Sequence, residues 1–198
     1  MTDGVAAVVL AAGLGTRLGG DVPKPLLLLG GRPLVAHALA AARASGCDTV
    51  LVVVSDARVA DAITGAEIVR NEQPERGIAS SLQVAIRALE PRPEIRAAVV
   101  GLADQPLVGA EAYRRLASAD APLAYATYGG ERANPVLIAR ERWREVLDLA
   151  GDVGARVLFE RHDALGVPCD GTGSPDDVDT PEDLARLESR WRSQTASE

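Results

Sequence analysis

Three short valine-rich runs, Val5–Leu10, Thr49–Val54 and Ala97–Leu102, carry no charged residue and show no alternation of polar with apolar positions. A strand of that kind is stable only when both of its faces are covered. Between the runs lie stretches with helical patterning: 33–43, opened by Pro33 and closed near Gly46, and 80–89, stopped before Pro91. Strand, helix and strand in succession form right-handed crossover units, so the spacing predicts an α/β fold with a mostly parallel, Rossmann-like sheet flanked by helices. In such sheets ligands bind beyond the carboxyl ends of the strands. The glycine-rich segment after Leu10 and Asp104 after Leu102 fall at two of those ends and are expected to face one crevice.

The remainder fits a single domain over 1–198. Ala57–Ile63 reads as a short helix and Glu67–Arg70 as a short strand. Leu123–Tyr128 and Val136–Ala139 read as a small β-hairpin turned at Gly129-Gly130. Helices are expected over Arg140–Leu149 and Ala155–Arg161, a loop over Cys169–Asp177, and a last helix from near Pro181, with a tail that frays over about 190–198. Trp143 and Trp191 fall on these helices, where packing explains them.

A hydrophobic share of 47% with 25% charged residues suits a folded soluble domain. The net charge of -7 disfavours nonspecific binding to nucleic acid or to an anionic membrane. No run has the length of a membrane span and the N-terminus lacks the order of a signal peptide, so the expected location is cytoplasmic. Cys47 and Cys169 have no second thiol at a metal or redox spacing, and His37 and His162 have no nucleophile motif beside them.

Against that acidic background, residues 10–25 form a cationic loop, Leu-Ala-Ala-Gly-Leu-Gly-Thr-Arg-Leu-Gly-Gly-Asp-Val-Pro-Lys-Pro. Small residues allow backbone N–H groups to approach phosphate oxygens, and Arg17 and Lys24 add full charge. Pro23 and Pro25 restrict the backbone on both sides of Lys24. The loop lacks the Gly-Lys-Ser/Thr ending of a P-loop. As a dinucleotide fingerprint it is weakened because Leu18 stands at the third glycine position, with Gly19 one place late, although Asp56 follows the second strand where a ribose-binding carboxylate belongs.

The loop resembles the signature of nucleotidyltransferases with a MobA-like NTP transferase fold, and the resemblance extends through Asn71-Glu72-Gln73-Pro74 with Gly77 and Ser80-Ser81-Leu82, Gly101-Leu102-Ala103-Asp104-Gln105-Pro106, Gly151-Asp152-Val153-Gly154-Ala155-Arg156 and Asp177-Val178-Asp179-Thr180-Pro181-Glu182-Asp183. The subgroup it most resembles is the molybdenum cofactor cytidylyltransferases; Ala133-Asn134-Pro135 departs from that subgroup's Gly-x-Pro, in a segment the resemblance places on the acceptor side.

The resemblance implies a Mg²⁺-dependent enzyme that transfers NMP from an NTP, CTP rather than GTP, to a phosphorylated acceptor such as molybdopterin, with contact to a molybdoenzyme or chaperone. It implies that the Leu10, Ala11, Ala12 and Gly13 backbone contacts the base, that Gly13 and Gly15 cradle phosphates, and that Arg17 and Lys24 neutralise transferring charge. Asp104 and Asp179 become the metal ligands, since Mg²⁺ takes one or two protein carboxylates with phosphate and water. Asp179 equally suits the start of the last helix, with Thr180 as N-cap and Pro181 at the first helical position. Asn71 and Ser81 are candidates for base or ribose and also ordinary turn and cap residues; Ser55 and Asp56 border the same pocket. Gln105 and Arg156 fall on the acceptor side, and Arg156 equally suits a local pair with Asp152. A sugar-1-phosphate enzyme and a nucleotide-binding regulator without turnover are the alternatives.

Overall fold

The computed structural model describes residues 4–13, 21–151 and 154–195. In chain order the elements are β1 (Val5–Ala11), β2 (Leu28–Leu29), β3 (Arg32–Pro33), α1 (Leu34–Ala44), β4 (Thr49–Val54), α2 (Ala57–Asp61), β5 (Glu67–Arg70), α3 (Ile78–Leu89), β6 (Ala97–Leu102), α4 (Ala110–Ala117), β7 (Leu123–Tyr128), β8 (Glu131–Ala139), α5 (Trp143–Leu147), α6 (Arg156–Arg161), β9 (Leu165–Pro168) and α7 (Pro181–Thr195). A seven-stranded sheet runs β5-β4-β1-β6-β8-β7-β9, while β2 and β3 pair as a separate two-stranded ribbon. β5, β4, β1 and β6 are mutually parallel, β8 is antiparallel to β6 and β7, and β9 is parallel to β7. This is the mostly parallel α/β sheet expected from the strand runs. The hairpin across Gly129-Gly130 forms, and both of its strands continue the main sheet.

β1 is central and wholly buried. Its period of two sends Val5, Ala7, Val9 and Ala11 into one core and Ala6, Val8 and Leu10 into the other. The first core is closed by Val35, Ala38 and Leu39 of α1 with Tyr113 and Leu116 of α4, the second by Leu82, Ile86 and Leu89 of α3 with Trp143 and Leu158. Small residues at close approaches are obligatory: a Cβ on Gly101 of β6 would lie 2.0 Å from the Tyr113 hydroxyl. A third small cluster, Leu29, Leu34, Val178 and Leu187, joins the β2–β3 ribbon to α7.

Several elements differ from the sequence reading. α4 and β9 were not expected, nor was the β2–β3 ribbon. The helix expected over 140–149 begins as a 3-10 turn at Arg140–Arg142 and becomes α-helical only from Trp143. Arg140 instead caps α3: its guanidinium donates to the Leu89 and Glu90 carbonyls at 3.3 and 3.2 Å and stacks on Trp143 at 4.3 Å. The last helix, expected from near Pro181, runs to Thr195. Trp191 holds it there, edge-on to His37 at 4.9 Å. His37 is structural, buried and donating from Nε2 to the Leu29 carbonyl at 2.9 Å. Among the described residues no helix is long and apolar enough to cross a membrane.

Candidate active site

The carboxyl ends of β1 and β6 are adjacent, with Leu10 opposite Leu102. The chain leaving β1 returns after residues 14–20 at Asp21, whose carbonyl accepts from Arg58 at 2.6 Å. It then makes a 3-10 turn at Lys24–Leu26, closed by Leu26 N–H to the Pro23 carbonyl at 2.8 Å. That turn delivers Lys24 to the end of β6. Its Nζ donates to Asp104 Oδ2 at 2.6 Å and to Asp179 Oδ1 at 2.7 Å. Three residues singled out from different parts of the sequence therefore meet at one ammonium.

Each partner is held from behind. The Asp104 carbonyl accepts from Val178 N–H at 2.9 Å, which brings the late segment to β6, and Val178 is anchored in the third cluster. Asp179 precedes a helix start of the expected kind: Thr180 Oγ1 accepts from Asp183 N–H at 3.2 Å, and Asp183 accepts from Thr180 N–H at 2.9 Å. Helix start and carboxylate beside the lysine are thus compatible uses of one segment. Burial opposes the charge of Lys24, but Asp104 and then Asp179 outweigh it, so its pKa lies above the ordinary lysine value. Asp177 was assigned no role from sequence. Desolvation, then the charges of Asp104 and Asp179, push its carboxyl up to about 6 although its side chain also reaches solvent, with Gln105 and Lys24 offsetting part of the rise.

Asp104 Oδ1 is buried and has no hydrogen-bond partner among the described residues. A hard oxygen without a donor, facing a second carboxylate, suits a hard cation. Among the described residues no three His, Cys, Asp or Glu side chains cluster tightly enough to hold a metal alone. A divalent ion here would complete its shell from phosphate and water.

The remaining candidates divide. Leu10, Ala11 and Ala12 are buried at the end of β1 and Gly13 is exposed just beyond them. Arg17 and Gly15, together with Asp152, lie outside the described residues. Asn71 is buried, and its Nδ2 donates to Ser80 and Ser81 hydroxyls at 2.8 and 3.0 Å while its Oδ1 accepts from Gln73 N–H at 3.0 Å. These bonds shape the turn into α3, where Gly77 adopts φ +84°. Ser55 donates to the Ala12 carbonyl at 3.2 Å, and Asp56 caps α2 by accepting from Arg58 N–H at 2.8 Å. Gln105 donates to the Pro175 carbonyl at 2.9 Å, while its Oε1 is buried without a partner among the described residues. Arg156 pairs with Glu160 at 2.8 Å.

Beside β6 opens a pocket of about 360 Å³ lined by Leu102, Arg132, Asn134, Arg156 and Phe159 among others. The Arg132 guanidinium lies 4.4 Å from the Tyr125 ring centroid and 5.6 Å from that of Phe159. Sequence reading reached Asn134 and Arg156 but not Arg132, whose only signal was its place in the strand after the Gly129-Gly130 turn.

A mostly parallel sheet thus carries a lysine and two aspartates that converge beyond its central strands. The chain belongs to the MobA-like NTP transferase domain family, whose model matches residues 7–165. The chain spans less than half the length of several curated relatives that it matches. It is 44% identical over 89 residues to 2-C-methyl-D-erythritol 4-phosphate cytidylyltransferase of Cereibacter sphaeroides, covering 42% of this chain and 40% of that one. Nicotine blue oxidoreductase of Paenarthrobacter nicotinovorans is similar from end to end, with 32% identity over 199 residues, 92% of this chain and 96% of that one. Among solved structures, Rv0371c of Mycobacterium tuberculosis H37Rv superposes with a TM-score of 0.84 at 32% identity, covering 93% of this chain and 97% of that one. Its complex with manganese gives 0.78 at 28% identity, over 93% and 98%.

Proposed function

We propose that the protein is a Mg²⁺-dependent nucleotidyltransferase that moves NMP from an NTP, with CTP favoured over GTP, to a phosphorylated acceptor, with molybdopterin or its molybdenum-loaded form favoured. The observation that carries this reading is the Lys24 ammonium between Asp104 and Asp179 beyond β1 and β6. A phosphate oxygen of the acceptor attacks the α-phosphorus, the bond to the β-phosphate bridging oxygen breaks, and pyrophosphate leaves with the electron pair. Negative charge grows on the equatorial and leaving oxygens, so the task of the protein is positioning and neutralisation. Lys24 and Arg17 supply cations for the phosphates, and the backbone of Leu10–Gly13 with Asn71 and Ser81 borders the base and ribose. Asp104 and Asp179 hold Mg²⁺, which supplies Lewis-acid polarisation of the phosphoryl oxygens. The pocket with Arg132, Asn134 and Arg156 is offered for the acceptor, its two guanidiniums suited to anionic groups. The cytidylyltransferase similarity and the manganese complex of Rv0371c support the choices of donor and of a divalent ion. The proposed location is cytoplasmic, with delivery of product to a molybdoenzyme or its chaperone.

Pyrophosphate release, measured with each of the four NTPs against molybdopterin and a panel of sugar-1-phosphates, tests the reading. Turnover with CTP and molybdopterin is expected; preference for a sugar-1-phosphate reassigns the acceptor. The end-to-end similarity to nicotine blue oxidoreductase favours a second reading, an oxidoreductase acting on a dye such as nicotine blue, for which NADH and NADPH are the reductants to try. Loss of NADH or NADPH absorbance with such a dye, together with no pyrophosphate in any mixture, would decide for it.

A further inference from the structure

Lys24 is the only lysine of the chain. Its side chain is 11% exposed, against 29% for Asp104 and 45% for Asp179. We infer that Lys24 is a resident counter-cation, holding Asp104 and Asp179 closed to a divalent ion until a triphosphate draws the ammonium away. The inference rests on reading these two aspartates as metal ligands.

The charges make the argument. The one ammonium offsets only part of the negative charge of the acidic cluster that Asp104 and Asp179 form with Asp177 nearby. A divalent ion reaching the unpartnered Asp104 Oδ1 and the Asp179 carboxylate meets an ammonium already 2.6 Å from Asp104 Oδ2 and 2.7 Å from Asp179 Oδ1. Bound there, it would either displace the ammonium into a protein pocket without a partner or share the carboxylates with a like charge, and both choices weaken its binding. A triphosphate inverts the balance. It offers the ammonium several negative oxygens, and once Lys24 turns to them the two carboxylates lose the positive charge that Lys24 holds between them. They then attract a divalent ion more strongly, and the ion in turn screens them from the phosphates.

Lysine suits such a transfer better than arginine. It is a compact point charge on a flexible stem, whereas a guanidinium forks onto carboxylates in two parallel bonds and holds them. Pro23 and Pro25 fix the backbone, so only the four-carbon stem swings. Metal and triphosphate binding are therefore coupled through Lys24, and by linkage each strengthens the other by the same factor.

The test is binding of Mn²⁺ alone, without nucleotide, followed by the electron paramagnetic resonance of free Mn²⁺. Lys24→Met is expected to bind Mn²⁺ roughly tenfold or more tightly than the wild type, within the ordinary range for coupled sites. Lys24→Arg is expected to bind no better than wild type, and Asp104→Asn to lose the site. Circular dichroism and thermal melting check that each variant is folded. Folded Lys24→Met with unchanged or weaker Mn²⁺ affinity overturns the inference and leaves the metal reading standing. No Mn²⁺ binding in either wild type or Lys24→Met overturns both. A second measurement needs no variant: because the chain has one lysine, mass spectrometry reads acylation of its ε-amine directly. Saturating Mn²⁺ should raise the acylation rate of Lys24 in the wild type by expelling it from the carboxylates, and an unchanged rate counts against the inference.

Discussion

From β5 through β6 the strands run parallel, and β4, β1 and β6 are buried along almost their whole length, whereas β8 reverses direction and β7, β8 and β9 carry Tyr125, Thr127, Tyr128 and Arg132 at partly or fully exposed positions. The ladder between β7 and β8 also shifts register after Tyr125, passing over Asn134 and Pro135. The parallel half is a frame: its strand ends fix Asp104 and receive Lys24, and the side chains of its central strand β1 are divided between two cores. The mixed half has polar side chains to spare, and its register shift turns a stretch of β8 toward the pocket beside Leu102. On the function proposed above, the chemistry common to every acceptor sits on the first half and recognition of the acceptor on the second.

That division breaks if substitutions on the two sides act alike. Asp104→Asn removes charge from the framed end and should lower kcat about 10²–10³-fold for every acceptor, with the melting temperature nearly unchanged. Steady-state pyrophosphate release checks it, and near wild-type turnover would remove Asp104 from the reaction. Gly101→Val drives a side chain into Tyr113, where even a Cβ would lie 2.0 Å from the hydroxyl, and should cost about 2–3 kcal/mol in denaturant unfolding. Gly130→Ala in the hairpin turn meets no atom within 4 Å and bears only its positive φ, so about 1 kcal/mol is expected there. Arg132→Gln should raise KM for the acceptor about tenfold, the worth of one charge-assisted contact, and leave the KM for NTP alone. A fall in kcat for all substrates instead would place Arg132 with the frame.

The smallest effect concerns pH. A carboxyl raised to about 6 makes the folded protein bind a proton more readily than the unfolded chain. Its contribution to stability is therefore present at low pH and is lost as pH rises from about 4 through about 6. Asp177→Asn should melt higher than wild type at pH 8 by roughly one or two degrees, since solvent screens the partly exposed carboxylate, and the difference should shrink as pH falls below 6. A difference that grows on acidification would mean that Asp177 is ion-paired.

The same division explains what the sequence made legible. β4 and β6 appear over the expected residues, and β1 runs one residue beyond its expected end, because a strand buried on both faces has almost no compositional freedom; β5 also appears over the expected residues, although it is a largely exposed edge strand. The convergence of the loop with Asp104 followed from strand polarity, whereas Asp179 came only from resemblance, since its place is set by a contact 155 residues from Lys24. β9 stayed hidden because Leu165-Gly166-Val167-Pro168 is short, holds glycine and proline, and is tolerated as a strand only at the sheet edge. α4 was hidden by a start lacking a side-chain cap, at Gly109, and by Pro106-Leu107-Val108 before it, which reads as loop. The contacts of Asn71 are side chain to side chain across nine and ten residues, and no pattern along the chain reveals their direction.

The small cluster of Leu29, Leu34, Val178 and Leu187 has a consequence for the order in which the molecule is completed. Lys24 is made early, but the second carboxylate it grips becomes available only when the chain has grown 155 residues further and α7 has docked on the β2–β3 ribbon. Until then, of the two carboxylates that Lys24 bridges, only Asp104 is within the chain already made. A ribosome-bound chain halted before α7 would thus possess most of the fold and an unfinished centre, which makes the last helix a latch whose closure tells a finished molecule from a nascent one.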